Sequence, residues 1–273
     1  MSLRTPMQFR LRLMLGAVLA FAGITSRASA QIAVLGSTLE EHIAVPGESY
    51  RGAIVIRNVT DQTQRARIYQ TDYVFFADGT SRFDSAGTLS RSNARWVALG
   101  ARSISIPASS EVTVTYEVRV PRSDSLVGTY WSAIMVEGEK TPPPASQRRA
   151  QVGVGSILRY AVQVATHIGS TGSRTIKFTR TQLVANQDST KSFNVDVENT
   201  GQRAYKPALW IEVYDAQGAL QKNVRQERGL LFPGTSLQQS FELGKLPAGS
   251  YRAIVFADSG DDAVFASQFT LKF

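Results

Sequence analysis

The chain has 273 residues, among them 30 Lys and Arg, 22 Asp and Glu, two His and no Cys. Without cysteine, disulfide bonds, zinc–thiolate sites and cysteine nucleophiles are excluded, so each folded domain must be held together by burial of apolar side chains. The formal net charge of +8 falls to +4 when the four arginines of residues 1–30 are set aside, a value that gives no indication of nucleic-acid binding.

Residues 1–30 have the pattern of a secretory signal peptide. Three arginines precede an apolar stretch over residues 13–24, and the tripeptide Ala-Ser-Ala ends at Ala30. A positive flank, a short apolar core and an Ala-x-Ala end are the features that signal peptidases recognise. The core has about a dozen residues, fewer than the ~20 that span a bilayer as a helix. We therefore expect cleavage after Ala30 and an exported product without an integral membrane span.

Strand patterns dominate residues 31–140, the first predicted domain. The clearest runs are rich in β-branched and aromatic residues and cover residues 53–56, 66–76, 103–106 and 111–120. The last run alternates polar and apolar residues along its whole length, as a strand with one solvent-exposed face does. Turns containing Pro, Gly, Asp or Ser separate these runs, and no stretch shows a sustained helical period. An all-β domain is predicted.

A proline-rich segment at residues 141–149 interrupts the strand pattern. Its three consecutive prolines begin at Pro142 and cannot lie within a hydrogen-bonded ladder, which predicts a linker between two domains. The second predicted domain, residues 150–273, contains a further series of strand patterns at residues 157–166, 175–184, 192–198, 208–214, 237–243, 251–257 and 264–273. Short strands at regular spacing favour a β-sandwich.

Two local patterns occur in both halves of the chain. A strand ends in an Asn turn at Asn58 and again at Asn199, and a Gly-x-Tyr sequence opens a late strand at Tyr130 and again at Tyr251. A tyrosine at this place anchors a corner of immunoglobulin-like sandwiches. The predicted fold is all-β, with two tandem immunoglobulin-like β-sandwich domains after a cleaved signal peptide.

Residues 38–168 resemble the periplasmic pilus chaperones of the PapD type. The matching stretches are VPGESYRGAIVIRN from Val45, GTYWSAIMVE from Gly128, the proline-rich segment, and QVGVGSILRYAVQV from Gln151. The resemblance implies a non-enzymatic protein of the periplasm or cell envelope. Its implied partners are other secreted or envelope proteins, such as a pilin-like subunit.

In that family, the chaperone donates an edge strand to a subunit that lacks one, through main-chain hydrogen bonds and alternating apolar side chains. The resemblance places the partner-binding residues of this chain on one segment: Val152, Val154, Ile157, Arg159 and Tyr160. Arg159 corresponds to one of two basic residues that hold the subunit's terminal carboxylate in the cleft between the domains. Residues 31–50 contain neither Lys nor Arg, so the second basic residue has no counterpart. A carboxylate with one charged partner is held less firmly.

Two alternatives remain open. Two-domain, immunoglobulin-like modules that bind partner proteins at the bacterial cell surface have a similar layout in their first half. The final segment, residues 264–273, places Phe265, Phe269, Leu271 and Phe273 on one face, as the last strand of an outer-membrane β-barrel does. The last strand of a second sandwich would show the same pattern.

No residue pattern typical of catalysis is found. His42 and His167 are the only histidines, and they lack both the spacing of a metal site and a Gly-x-Ser-x-Gly sequence nearby. The glycine pairs around Gly153 and Gly172 are not followed by a helix that could bind a phosphate. We therefore predict a protein that is not an enzyme and needs neither cofactor nor metal.

Overall fold

The computed structural model describes residues 31–139, 157–260 and 264–273, which form two β-sandwiches. The predicted signal peptide and the predicted linker at residues 141–149 lie outside the described residues. Within the described part of the chain the only helical element is a short 3-10 turn at Ala94–Trp96. No helix in that part is long and apolar enough to cross a membrane.

The first sandwich packs a four-stranded sheet against a six-stranded one. The four-stranded sheet has the order β1-β3-β8-β6, with β1 (Ile32–Leu35), β3 (Ser49–Asn58), β8 (Glu111–Arg119) and β6 (Val97–Leu99). The six-stranded sheet has the order β2-β10-β9-β4-β5, with β2 (Leu39–Ala44), β10 (Arg159–Ile168), β9 (Gly128–Gly138), β4 (Gln64–Phe75) and β5 (Ser81–Ser85). β7 (Ser103–Ile106) also pairs with β4.

The core of the first sandwich follows from the alternation along its strands. In β8, Val114, Tyr116 and Val118 are buried, while the residues between them face outward. They meet apolar side chains of the opposite sheet, such as Ile68 of β4 and Ile134 of β9. Successive side chains of a strand point to opposite faces, so a period of two buries one face. The strand predicted at residues 111–120 is confirmed.

The second sandwich has a three-stranded and a four-stranded sheet. The first has the order β11-β12-β15, with β11 (Ile176–Ala185), β12 (Lys191–Asn199) and β15 (Ser236–Gly244). The second has the order β14-β13-β16-β17, with β14 (Leu220–Glu227), β13 (Ala208–Tyr214), β16 (Ser250–Asp258) and β17 (Val264–Lys272). Leu271 of β17 is buried in this core, and Phe265, Phe269 and Phe273 pack against it. Residues 264–273 therefore form the last strand of the second sandwich.

Both sandwiches have immunoglobulin-like connections. In the first, most consecutive strands change sheets, and the opening segment divides between the sheets: β1 pairs antiparallel with β3, and β2 pairs parallel with β10. Within the described residues the second has seven strands, as constant-type immunoglobulin domains do. The Tyr251 hydroxyl donates to the backbone oxygen of Pro247 at 3.0 Å, which is the expected corner. The prediction of two tandem immunoglobulin-like sandwiches is confirmed.

The predicted boundary between the domains is wrong. β10 pairs with β9 over its whole length, from Arg159 opposite Glu137 to Ile168 opposite Gly128. It therefore belongs to the first sandwich, which ends at Ile168 rather than at residue 140, and residues 169–175 lead to the second. Because β9 and β10 are neighbours in one sheet, the proline-rich residues connect two strands of the first sandwich and do not join the two domains.

Asn58 and Asn199 occupy equivalent places, at the ends of β3 and β12. The side-chain amide of Asn58 donates to three backbone carbonyl oxygens at 2.7–3.0 Å. That of Asn199 donates to two at 2.9 Å. Both side chains are almost fully buried, so each satisfies carbonyl groups of the turns around it that water does not reach. The repeated Asn turn in the sequence therefore has the same structural cause in both sandwiches.

Alanine at either position should lower the free energy of unfolding by about 2 kcal/mol, because buried carbonyl groups lose their donors. The double variant should lose about the sum, since the two residues lie in different sandwiches. Urea denaturation measures the losses, with Val59→Ala, an exposed neighbour of Asn58, as the control. Losses below about 0.5 kcal/mol in both single variants, the range of ordinary surface substitutions, would contradict the assignment.

Candidate partner-binding site

The two edges of β10 are paired unequally. β9 covers one edge along the full length of the strand, whereas β2 covers the other edge only at residues 163–168. The first part of β10, residues 159–162, therefore has a strand on one side only among the described strands. We call this part the open edge.

The direction of the peptide groups shows which atoms the open edge presents. The N–H of Gln163 donates to the carbonyl oxygen of Thr38 at 2.8 Å, and the N–H of Gly169 also donates toward the β2 side, at 2.9 Å. In a strand between two neighbours, alternate residues direct both their N–H and C=O groups to the same side. Arg159 and Ala161 therefore present their N–H and C=O groups at the open edge, where no described strand receives them.

The outer edge of β2 is partly closed by side chains. The Ser37 hydroxyl donates to the carbonyl oxygen of Leu39 at 2.6 Å and accepts from the N–H of the same residue at 3.0 Å. At the other end of β2, the N–H of Val45 donates to Oε2 of Glu48 at 2.9 Å. Side chains that occupy the main-chain groups of an edge hinder the addition of another strand. The open edge of β10 carries no such cap in the described contacts.

The predicted partner-binding residues lie in different surroundings. Val152 and Val154 lie outside the described residues. Ile157 and its neighbour Leu158, immediately before β10, are 42% and 46% exposed. Tyr160 points the other way: it packs against the first core, and its hydroxyl donates to the backbone oxygen of Ile32 at 3.1 Å. Of the predicted apolar side chains that are described, only Ile157 is available to a partner.

Arg159 lies at the open edge and is held by a carboxylate. Its Nε is 3.1 Å from Oε2 of Glu137, which also accepts from the Tyr69 hydroxyl at 2.7 Å and lies 3.4 Å from Arg67. The hydrogen bond from Tyr69, helped by the charges of Arg159 and Arg67, lowers the pKa of Glu137. The group therefore remains ionised in neutral and mildly acidic solution and keeps Arg159 on the outer face of the sheet.

The expectation that Arg159 lies in the cleft between the domains is wrong. The opposite end of β10, at Ile168, is the one next to the second sandwich. There Ile168 pairs with Gly128 of β9, and the N–H of the following residue, Thr129, donates to the backbone oxygen of Gln202 at 2.9 Å. At ~3.3 Å per residue, Arg159 is about 30 Å from that end. The sequence places a residue on a strand, but it does not show which end of the strand meets the second domain.

The two sandwiches meet at an apolar junction. The ring of Trp131, on β9, stacks on that of Phe232 of the second sandwich, with 4.7 Å between centroids and an angle of 14°. Phe75 at the end of β4 meets Phe232 edge-on at 6.4 Å. Ala165 and Ala204 belong to the same buried cluster, which includes residues of both sandwiches. Burial on both sides fixes the two sandwiches against each other.

A polar network lies beside this cluster. Nδ1 of His167 is 2.8 Å from the Thr129 hydroxyl, which accepts from the N–H of Ala204 at 2.9 Å. Nε2 of His167 is 3.4 Å from one oxygen of Glu41, and the other oxygen is 2.5 Å from Lys206. The network therefore joins β2, β9 and β10 to the second sandwich.

The surroundings of His167 disfavour its charged form. Burial and the positive charges of Arg203 and Arg174 lower its pKa, and the hydrogen bond and charge of Glu41 oppose them only in part. The imidazole is therefore mostly neutral at pH 7.

A pocket of about 450 Å³ opens at the junction. Its lining comprises Glu41, Ile43, His167, Arg174, Arg203, Ala204, Tyr205, Lys206, Leu230 and Ser259. The hydroxyl of Tyr205, a residue only 5% exposed, has no hydrogen-bond partner among the described residues, and burial raises its pKa. No sequence pattern marks this set beyond the basic residues near Gly172 and Gly201, because its members come from distant parts of the chain.

Comparison with known proteins gives structural likenesses only. No family model matches the chain, and no curated protein matches its sequence. Its structure is similar to the class 5 fimbriae chaperone CfaA, with 11% identity, 87% of this chain and 98% of that chain covered, and a TM-score of 0.46. It is also similar to the E. coli chaperone DraB, with 13% identity, 88% of this chain and 95% of that chain covered, and a TM-score of 0.41. A chain in the complex of Salmonella enterica SafA pilin with the SafB chaperone is similar as well, with 11% identity, 90% of this chain and 97% of that chain covered, and a TM-score of 0.40.

Proposed function

We propose that the protein is a periplasmic, pilus-type chaperone that binds a pilin-like subunit by pairing an extended segment of it with the open edge of β10. The observation that carries the proposal is the unequal pairing of β10. A segment placed beside residues 159–162 would bond to the N–H and C=O groups of Arg159 and Ala161 and continue the sheet. Main-chain bonds of this kind supply affinity that does not depend on the partner's exact sequence.

The side chains around the open edge favour a partner segment with alternating apolar residues. Ile157 and Leu158 expose apolar surface directly before the edge, and such exposed surface beside unpaired main chain is typical of strand-addition sites. Arg159 remains a proposed partner contact, because its side chain is 59% exposed beside the edge although it pairs with Glu137. Val152 and Val154 are proposed to extend the contact.

The caps on β2 support the choice of edge. Ser37 and Glu48 occupy main-chain groups at the two ends of β2, whereas Arg159 and Ala161 have no such cap in the described contacts. An added strand therefore meets fewer competing bonds on β10 than on β2. The resemblance of residues 38–168 to pilus chaperones supports the same edge.

The proposed location is the periplasm or another part of the cell envelope. It rests on the signal-peptide pattern of residues 1–30, with cleavage after Ala30. The proposed activity is binding and assembly of envelope proteins without catalysis.

Proline at position 161 tests the proposal. Ala161→Pro removes an N–H that faces the open edge and leaves the bonds of Tyr160 and Val162 to β9 in place. A photo-reactive amino acid at Leu158 should form adducts with an exported protein in the cell envelope, identified by mass spectrometry. We expect Ala161→Pro to reduce these adducts by about tenfold, the effect of roughly 1.4 kcal/mol, with little change in Tm.

Two controls make the result specific. The same photo-reactive group at Leu220, an equally exposed residue of the second sandwich, should give no such adduct. Val162→Pro, which removes an N–H bonded to β9, should lower the Tm strongly. If the Leu158 adducts persist in Ala161→Pro, or form equally at Leu220, strand addition at this edge is wrong.

Amide exchange of the unmodified protein provides a second test. In the free protein the N–H of Ala161 should exchange faster than those of Tyr160 and Val162, which bond to β9. Addition of the partner identified by cross-linking should protect Ala161. Equal protection of the three amides before the partner is added would show that the edge is already occupied.

A further inference from the structure

The hydrogen bonds around His167 have a direction that can be assigned. A backbone N–H can only donate, so the Thr129 hydroxyl oxygen accepts from Ala204, at 2.9 Å. The hydroxyl proton is then available to Nδ1 of His167, at 2.8 Å. In a neutral imidazole the remaining proton is on Nε2, which faces Glu41 at 3.4 Å. The neutral form with the proton on Nε2 therefore satisfies every member of the network.

A second proton on the imidazole breaks this arrangement. It would occupy Nδ1 and point at the Thr129 oxygen, which already accepts from Ala204. The Thr129 hydroxyl proton would have to turn away, but the residue is fully buried. Among the described residues, the Thr129 side chain forms hydrogen bonds only with the His167 ring and with the backbone N–H of Ala204. A buried donor without an acceptor is unfavourable, so protonation destabilises the docked arrangement in which Thr129 contacts Ala204.

The charges around the imidazole have mixed signs, with an excess of positive ones among the described residues. Glu41 on β2 favours a second proton, but Lys206 of the second sandwich shares its carboxylate at 2.5 Å. Arg203 of the second sandwich donates to the backbone oxygen of Gly169 at 2.8 Å and so stays close to the junction. Arg174, on the connection between the sandwiches, adds a further positive charge. β9 contributes the uncharged Thr129.

We propose that His167 is an acid-sensitive contact between the two sandwiches, and that its protonation loosens the junction. The two sandwiches are held firmly while the imidazole is neutral. When it is protonated, the buried Thr129 hydroxyl proton loses its acceptor and Arg203 is repelled. This proposal concerns the junction alone and does not depend on partner binding at the open edge.

The pH range follows from the sign of the pKa shift. In the docked form the pKa of His167 is lower than the ordinary value of about 6.5, which it regains when the junction opens. The open form therefore binds the proton more tightly. The docking free energy should fall as the pH decreases below about 6.5 and should level off below the lowered pKa of the docked form.

The chain offers an unusually direct measurement, because it has only two histidines. His42 lies within the first sandwich, stacked on Tyr50 at 3.9 Å, and serves as the internal control. Ring and amide NMR signals and small-angle scattering should be followed between about pH 5 and 8. As the pH is lowered, we expect the ring signal of His167 and the amide signal of Ala204 to change with one midpoint, at a pH below about 6.5, and the radius of gyration to increase.

His167→Gln provides the matched variant, because glutamine can accept and donate hydrogen bonds but does not titrate in this range. The Ala204 amide and the radius of gyration should then be independent of pH. The proposal is overturned if the variant keeps the pH dependence of the original protein. It is equally overturned if His167 of the original protein titrates without a change in the Ala204 amide or the radius of gyration. The second result can be read even if the variant does not fold.

Discussion

Replacing Phe232 by alanine should separate the unfolding of the two sandwiches. The ring is fully buried, stacks on Trp131 at 4.7 Å and meets Phe75 at 6.4 Å, so it contacts the first sandwich on two sides. Loss of a buried phenylalanine ring costs about 3–5 kcal/mol. Because much of that contact joins the sandwiches, we expect calorimetry to show two transitions further apart than in the original protein.

Phe241→Ala is the matched control for this experiment. Phe241 is also fully buried, but it lies in the core of the second sandwich. Its replacement should lower the unfolding free energy of the second sandwich by a comparable amount. The contacts between the two sandwiches should remain as in the original protein. If Phe232→Ala and Phe241→Ala give the same calorimetric profile, Phe232 has no special part in the junction.

Replacing Asp72 by alanine should destabilise the first sandwich by about 4 kcal/mol. The carboxylate is fully buried and accepts the backbone N–H groups of Gly87, Thr88 and Leu89 at 3.1, 2.8 and 2.8 Å. It also accepts the hydroxyl of Ser92. Without the carboxylate, three backbone donors lose their acceptor, at about 1–3 kcal/mol for each group that stays buried.

Urea denaturation of three variants measures this effect. Asp72→Asn keeps the shape of the side chain, but an amide nitrogen replaces one acceptor oxygen and faces the N–H donors of the loop. The free energy of unfolding should therefore fall by roughly 2 kcal/mol. Asp84→Asn, opposite Asp72 on the neighbouring strand β5 and partly exposed, should change the stability by no more than about 0.5 kcal/mol. Equal losses in Asp72→Ala and Asp84→Asn would show that the loop after β5 does not depend on this carboxylate.

Local alternation made much of the fold predictable from the sequence. Residues 111–120 repeat apolar side chains at every second position, and they form β8 with its inward face in the core. β14, with the sequence LQKNVRQE, was missed because it is an edge strand whose side chains are mostly polar. An edge strand buries little, so it needs little apolar pattern.

Features that depend on distant contacts could not be predicted. A proline-rich break has the same composition whether it joins two domains or two strands of one sheet, so the sequence misplaced β10. His167 and Glu41 are 126 positions apart and become neighbours only through the parallel pairing of β2 with β10. Arg159 was correctly placed on a strand after the prolines, but its distance from the junction depends on the direction in which that strand runs.

β10 carries both the open edge and His167, about 16–26 Å apart on one continuous strand. If loosening at the junction changes how tightly a partner binds at the open edge, thermodynamic reciprocity requires the converse. The bound partner must then change the proton affinity of His167 by the same factor. Proton uptake or release on partner binding, measured by calorimetry in buffers of different ionisation enthalpy, would give that factor without any structural measurement.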